Sequence, residues 1–314
     1  MKADIDYPQE KFKMVDDNLE AALNKILENS KSIDNCPLTV SLMKNSVSAI
    51  VSTDKEFTRK YIKNINTYIQ DIDKLYVMDN SSSENYNRLP KNKKIEYIFN
   101  GENLGIATPL NKAAEKARKE KYSWLLTMDQ DTKFPKGIIK KIKERIENTN
   151  CEDIGIVTPW HRTKLKIAKS KEKIDYPLDV MTSGNFVNLN IHKKIGGFKE
   201  WLFIDGVDME YCLNLHKNHY KILRYNDLEI EHNLGNIIYK KFLWKNLLIT
   251  NHSAMRRYYQ MRNYHYIKDM YVNDFPDYCN TLVKIKATVV GIIFFEDNKI
   301  EKLKAYYKGY VDYK

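Results

Sequence analysis

Trp124-Leu125-Leu126-Thr127-Met128-Asp129-Gln130-Asp131 is a short apolar run that ends in two acids one residue apart. Read as a buried strand, it carries those carboxylates to the carboxyl edge of a sheet, where open α/β folds bind ligands. Two hard oxygen ligands at such an edge suit a divalent cation that also grips phosphates. The Asp-x-Asp pattern occurs three times, at Asp4/Asp6, Asp71/Asp73 and Asp129/Asp131, and only the last follows a buried-strand run. The strand in front of them, more than the acids themselves, marks the site.

Upstream of this run the chain alternates strand and helix signals. Val47 to Ser52, Leu75 to Met78 and Ile95 to Phe99 read as strands, with helices expected from Thr58 to Ile69 and from Ile106 to Arg118. Downstream, a helix starts at Pro135, where proline suits a first turn, and Ile154 to Val157 is a fifth strand. Such alternation predicts an α/β domain with a mostly parallel sheet flanked by helices. After Pro159 the rhythm changes. His161 to Lys173 reads as a basic loop or hairpin, and Thr182 to Asn190 as a strand that begins Ser183-Gly184-Asn185. Asp205-Gly206-Val207-Asp208-Met209-Glu210 opens a helix to about Asn218, and Ile230-Glu231-His232 is a short strand. Helices are expected from Ile238 onward. At the other end, Phe12, Val15, Leu19, Ala22, Leu23 and Ile26 fall at helical spacing and form one apolar face. That face suits packing on the main domain or on a second copy of the chain, as in a homodimer. Three regions follow: a helical extension over 1–45, a catalytic domain over 46–237 and a helical, basic region over 238–314.

The chain has 314 residues, of which 43% are hydrophobic, enough for a proper core and against global disorder. No uninterrupted apolar stretch reaches the roughly 18 residues of a membrane span, and the polar, acidic start lacks a signal peptide's pattern. A cytoplasmic location is expected. Cys36, Cys151, Cys212 and Cys279 lack metal-type spacing and read as reduced thiols. The formal net charge is +11, and from Asn236 to Lys314 there are 14 Lys/Arg against 7 Asp/Glu. That basic segment also holds Arg256-Arg257-Tyr258-Tyr259, Tyr306-Tyr307 and the apolar stretch Val289 to Phe295, a composition suited to peripheral contact with the inner face of a membrane. A nucleic-acid role rests on charge alone, with no recognised motif, and is not expected.

Four polar nodes sit at element ends: Asp79-Asn80, Asp129/Asp131, Asp205/Asp208 with Glu210, and His232. Together with Val-Ser-Ala-Ile-Val-Ser at 47–52, Asn-Leu-Gly-Ile-Ala at 103–107, Gly-Gly-Phe-Lys-Glu at 196–200 and His-Asn-Leu-Gly at 232–235, their order resembles the family-2 glycosyltransferases, which have the GT-A fold. The nearest likeness is to the bacterial rhamnosyltransferase-like branch. It covers about 47–235, with a looser echo in Arg256 to Asn263 and in the Lys-rich tail.

The resemblance implies a role for each node. Asp79 would accept a hydrogen bond from the nucleotide base, as a carboxylate can from an imide N–H. Ser52, Asn103, Gly105 and Gln130 join it in the donor site, with Gly105 letting backbone approach the nucleotide at a helix start. Asp129 would face the ribose, while Asp131 and His232 would hold Mn²⁺ or Mg²⁺. Asp208 would be the catalytic base, with Glu210 a weaker candidate. Ser183, Gly184, Asn185 and Asp205 would line the acceptor or sugar site, and Trp201 and Phe203 would form an apolar platform there. The expected function is inverting, metal-dependent transfer of a sugar to a surface-polysaccharide acceptor, a glycan or lipid-linked glycan. The nucleotide-sugar donor would be dTDP-rhamnose or a UDP-hexose. Two departures bear on the donor: Ser52-Thr53-Asp54 replaces the Thr-Tyr-Asn common in relatives, and Asn214 stands where arginine is common. The alternatives are a nucleotidyltransferase, which wants a Gly-rich phosphate loop that Ser52-Thr53-Asp54-Lys55 does not supply, and an inactive scaffold used as a binding module.

Overall fold

A computed structural model describes residues 47–53, 59–129, 132, 134–164, 169–232 and 237–314; of 47–53, 59–61 and 245 only the backbone path is described. The expected helix over 1–45 lies outside these residues, as do Cys36, Gln130, Asp131 and Asn233 to Asn236.

Among the described residues, eight strands form one sheet. Parallel strands β1 (Val47–Thr53), β2 (Lys74–Asp79), β3 (Ile95–Phe99) and β4 (Trp124–Asp129) fill one half in the order β3-β2-β1-β4. Helices α1 (Arg59–Tyr68) and α2 (Ala107–Lys119) make their crossovers. The other half holds β5 (Ile154–Arg162), reached through α3 (Ile138–Glu147), then β6 (Ile174–Asp175), β7 (Asn185–Asn188) and β8 (Lys221–Glu231). There β7 lies between β4 and β5 and runs antiparallel to both.

Strands β2 and β4 are largely apolar and buried because the sheet is covered on both faces there. Period-two alternation sends Tyr76, Met78 and Leu125 into a core with α2 and α5 (Val207–Lys217), which follows the short α4 (Leu189–Lys194). The same alternation sends Leu75, Val77, Trp124, Leu126 and Met128 into a second core with α1 and α3. Each of these fully buried side chains stabilises the fold by about 1.5–3 kcal/mol relative to exposure.

The structure corrects several expected elements. Thr182 to Asn190 is not one strand: β7 ends at Asn188, whose side chain accepts from the Asn190 and Ile191 amides at 3.1 and 3.3 Å and caps α4. The short strand expected at Ile230 is the end of the 11-residue β8. Helices do not begin at Ile238. A hairpin comes first, β9 (Ile238–Phe242) and β10 (Lys245–Ile249), then α6 (Ala254–Tyr271), α7 (Pro276–Leu282), α8 (Ile285–Phe295) and α9 (Lys299–Tyr313). Pro276–Phe295 is, by length and composition, apolar enough to cross a membrane. Asp277, Lys284 and Lys286 interrupt its apolar residues, so the sequence shows no unbroken apolar run there.

Helix α9 lies so close on α6 that a Cβ at Gly309 would sit 2.3 Å from the Tyr258 carbonyl oxygen. Near that contact Glu296, with a side chain 1% exposed, pairs with Arg257 and, at 3.2 Å, with Lys302. Glu296→Ala would leave two cations buried without their shared anion. We expect a loss of about 3–5 kcal/mol, read as a lower midpoint in thermal unfolding.

Candidate active site

Strand β1 is the switch point of the sheet, with β2 and β3 on one side and β4 on the other, and its carboxyl end is where such folds open a crevice. The register brings three predicted residues to that edge: Thr53 pairs with Asp79, and Ser52 pairs with Asp129. The two carboxylates do not converge, however. Asp79 shares the parity of Leu75 and Val77, whereas Asp129 shares that of Leu125, so they leave the sheet on opposite faces.

Asp79 is fully buried. Its carboxylate accepts from the Ser81 amide at 2.9 Å, the Asn85 side chain at 3.0 Å and the Tyr97 hydroxyl at 2.5 Å. It ties down the loop from Asn80 to Asn85 and does not present itself to a ligand. Asn80 continues the tie, donating to the Gly105 carbonyl at 2.7 Å and accepting from Asn100 at 2.9 Å. Asn103 accepts from the Gly105 amide at 3.0 Å. Gly105 itself is needed for packing: at φ +73°, a Cβ there would lie 2.4 Å from the Phe203 carbonyl oxygen. That oxygen accepts from the Ile106 amide at 2.7 Å, so one N–H expected to await the nucleotide is taken by the 201–205 loop.

Asp129 is partly exposed, on the face that also carries α5. Its amide donates to the Ser183 hydroxyl at 3.1 Å, Ser183 bonds Thr132 at 2.5 Å, and Thr132 Oγ1 lies 3.4 Å from His232 Nδ1. Behind them buried His161 donates from Nε2 to the Ser183 carbonyl at 2.5 Å. Burial pushes the His161 pKa down to about 4, so it stays a neutral donor. The Gly184 amide donates to the Thr127 carbonyl at 2.7 Å, and Asn185 to the Met181 carbonyl at 2.8 Å. Ser183, Gly184 and Asn185, expected at the acceptor site, are buried and fix the end of β4, with Asn185 also lining the small cavity beside Asp208. Thr132 and His161, which sequence reasoning missed, belong to the same scaffold.

Asp208 sits in the first turn of α5, half-buried, its Oδ1 accepting from the Met209 amide at 2.9 Å. It shares a cavity of about 10 Å³ with Thr127, Thr182, Asn185 and Tyr211. Thr127 is two residues before Asp129 on the same face of β4, so the structure does bring Asp208 and Asp129 to one side of the sheet. Burial raises the Asp208 pKa to about 6, and the charges of Asp179 and Asp205 add to the shift. Glu210 is buried and accepts from the Tyr271 hydroxyl at 2.6 Å, which removes it as a base for the cleft.

Helix α6 clamps the loop in front of Asp208. Arg256 pairs with both carboxylate oxygens of Asp205, one contact at 2.9 Å. Asn263 donates to the Leu202, Ile204 and Asp205 carbonyls, each at 2.8 Å. Arg262 donates to the Trp201 carbonyl at 2.6 Å. The clamp holds Phe203 and Asp205 at φ +63° and +58°, values rare outside glycine and costing of order 1–3 kcal/mol each. Asp205, expected at the acceptor or sugar site, is held in this clamp by Arg256. Phe203 stacks on Tyr259 at 4.9 Å, while Trp201 remains 45% exposed and available as a platform.

Among the described residues no three His, Cys, Asp or Glu side chains surround one point that could hold a metal. Of the donors implied earlier, Asp131 lies outside the described residues. His232 stands against Thr132, the next residue in sequence after Asp131.

The switch-point sheet with an acid at the end of β4 and a carboxylate-bearing helix in front of it defines a GT-A type fold. A family model described as glycosyl transferase family 2 matches residues 48–211, more than half of the chain, and the chain belongs to that family. It is a glycosyltransferase. It is 24% identical over 278 residues to the dTDP-rhamnosyl transferase RfbF of Shigella flexneri, covering 80% of this chain and 90% of that one. Among solved structures, S. aureus TarS 1–349 in complex with UDP-GlcNAc is 14% identical with a TM-score of 0.53, covering 85% of this chain and 80% of that one. GalNAc-T7 with UDP, GalNAc and Mn²⁺ is 11% identical with a TM-score of 0.52, covering 74% and 49%. At those identities the likeness is one of fold.

Proposed function

We propose that this chain is an inverting rhamnosyltransferase that uses dTDP-rhamnose and adds the sugar to a lipid-linked glycan. The observation that carries the mechanism is Asp208, half-buried at a helix start on the same side of the sheet as Asp129, with its pKa raised to about 6. A base needs that combination: strong enough to take a proton, yet ionised at neutral pH. The donor is supported by the RfbF relative, whose printed name specifies dTDP-rhamnosyl transfer.

The diphosphate lies along the carboxyl edge between β1 and β4, with Asp129 toward the ribose. Asp79 acts from behind, fixing the loop beside the nucleoside without touching it. Asp131 and His232 would hold Mn²⁺ or Mg²⁺, which offsets charge on the diphosphate when bound. The acceptor hydroxyl gives its proton to Asp208, and its oxygen attacks the anomeric carbon. The bond from that carbon to the diphosphate oxygen breaks, and dTDP leaves from the opposite side with inversion. Trp201 supplies an apolar face for the acceptor.

The test is a donor panel assayed for released nucleoside diphosphate, with and without Mn²⁺. dTDP-rhamnose is expected to be turned over best and only with the metal. Equal turnover of UDP-sugars would remove the donor assignment. The same assay carries a pH prediction. Because the Asp208 pKa is raised from 3.8 to about 6, protonation disables the base as pH falls through 6. The rate should drop about tenfold per pH unit below that point. An acid limb near pH 4 would mean that another carboxylate is the base.

A further inference from the structure

The β9–β10 hairpin ends in a two-residue turn, Leu243-Trp244, because Phe242 pairs with Lys245. Such turns favour Asn-Gly or other small residues that accept positive φ. Here Leu243 adopts φ +53°, and the side chains are 65% and 80% exposed. Local folding preference opposes leucine at Leu243, and neither residue is buried in return. A conflict of that kind marks a surface selected for contact rather than for stability.

The patch continues onto α8. Phe242 meets Phe294 at 4.9 Å between ring centres, and Ile285, Ile293 and Phe294 are 40%, 41% and 57% exposed. Only 17% of the most apolar window of Pro276–Phe295 is buried within the molecule. The segment does not span as one rod: Val283 is extended (φ −90°, ψ 97°) and splits α7 from α8. The 11 residues of α8 measure about 16 Å, half the roughly 30 Å hydrocarbon layer. Charge identifies the partner. The hairpin sequence 238–249 holds Lys240, Lys241 and Lys245, the 284–295 segment holds Lys284 and Lys286, and neither contains an acid. Exposed tryptophan and leucine ringed by lysines match the interface of an anionic bilayer.

We propose that the Leu243–Trp244 tip and the outer face of α8 dock on an anionic lipid bilayer, the tip entering the headgroup layer. A cavity of about 590 Å³ is lined by Leu247 and Leu248 of this hairpin, Gly291 of α8 and Met209, which follows Asp208 in sequence. Resting on the lipid-linked acceptor proposed above, the docked enzyme draws its acceptor along that cavity without releasing it from the bilayer.

The test is co-sedimentation of the full chain with phosphatidylglycerol and with phosphatidylcholine vesicles. The variant pair is L243N/W244G, which puts an Asn where the backbone takes positive φ and a permissive glycine beside it and so is expected to keep the unfolding midpoint, and K240E/K241E. The parent is expected to bind the anionic vesicles and to release from them in high salt. Each pair should weaken that binding about tenfold or more, with nucleoside diphosphate release in vesicle-free solution unchanged. Failure of the parent to bind, or unchanged binding by L243N/W244G, overturns the docking surface. So does a concentration-dependent dimer that L243N/W244G abolishes in the absence of vesicle binding, since a second copy would then cover the face. Loss of dTDP-rhamnose turnover in the parent would strike the proposed function and leave vesicle binding intact, so the two failures are separable.

Discussion

Asp208→Asn is expected to bind dTDP-rhamnose as the parent does and to transfer the sugar about two to four orders of magnitude more slowly. The amide keeps the size of the carboxylate and its place in the first turn of α5, and its oxygen still accepts from the Met209 amide. Only the capacity to take a proton is lost. Burial raises the pKa of the native group, so the neutral side chain fits the site at least as well as the anion. The unfolding midpoint should therefore hold or rise, which separates a chemical defect from a folding defect. Single-turnover kinetics with saturating donor read the effect directly. Near-native transfer by this variant would remove Asp208 as the base; Glu210 is already spoken for by Tyr271.

Asp131→Ala should act at the earlier step. On the proposed role of Asp131 as the principal carboxylate ligand, His232 alone would not retain a hard divalent ion. Donor affinity should fall by roughly 10²-fold or more, turnover should become undetectable, and added Mn²⁺ should no longer tighten dTDP binding. Isothermal titration of dTDP with and without Mn²⁺ measures it. A variant that still shows Mn²⁺-dependent dTDP binding would place the metal elsewhere.

The parallel half of the sheet was legible because each of its strands is a compact apolar run followed by a polar turn. That signal also located Asp129 at a strand end. Asp79 was found at a strand end as well, but its service to the loop depends on Tyr97 and Asn85 and on which face α1 and α3 cover. No local pattern reports that. The Arg256 and Asn263 clamp joins residues more than 50 positions apart, and only the loose echo at 256–263 hinted at it. The hairpin at 238–249 escaped because Leu243-Trp244 carries no turn chemistry and its lysines and apolar residues suit a helix equally well. The cap at Asn188 was a missed local signal: an Asn directly ahead of Leu189 is a standard helix start.

The most direct test is a structure of the enzyme with Mn²⁺ and dTDP, with the metal located by anomalous scattering. The ion is predicted to touch Asp131, His232 and the diphosphate at the carboxyl end of β4, with the nucleoside beside the Asn80–Asn85 loop and the Asp208 carboxylate open to the side from which an acceptor would approach. Manganese bound away from β4, or a diphosphate lying between Asp208 and the acceptor space, would contradict it.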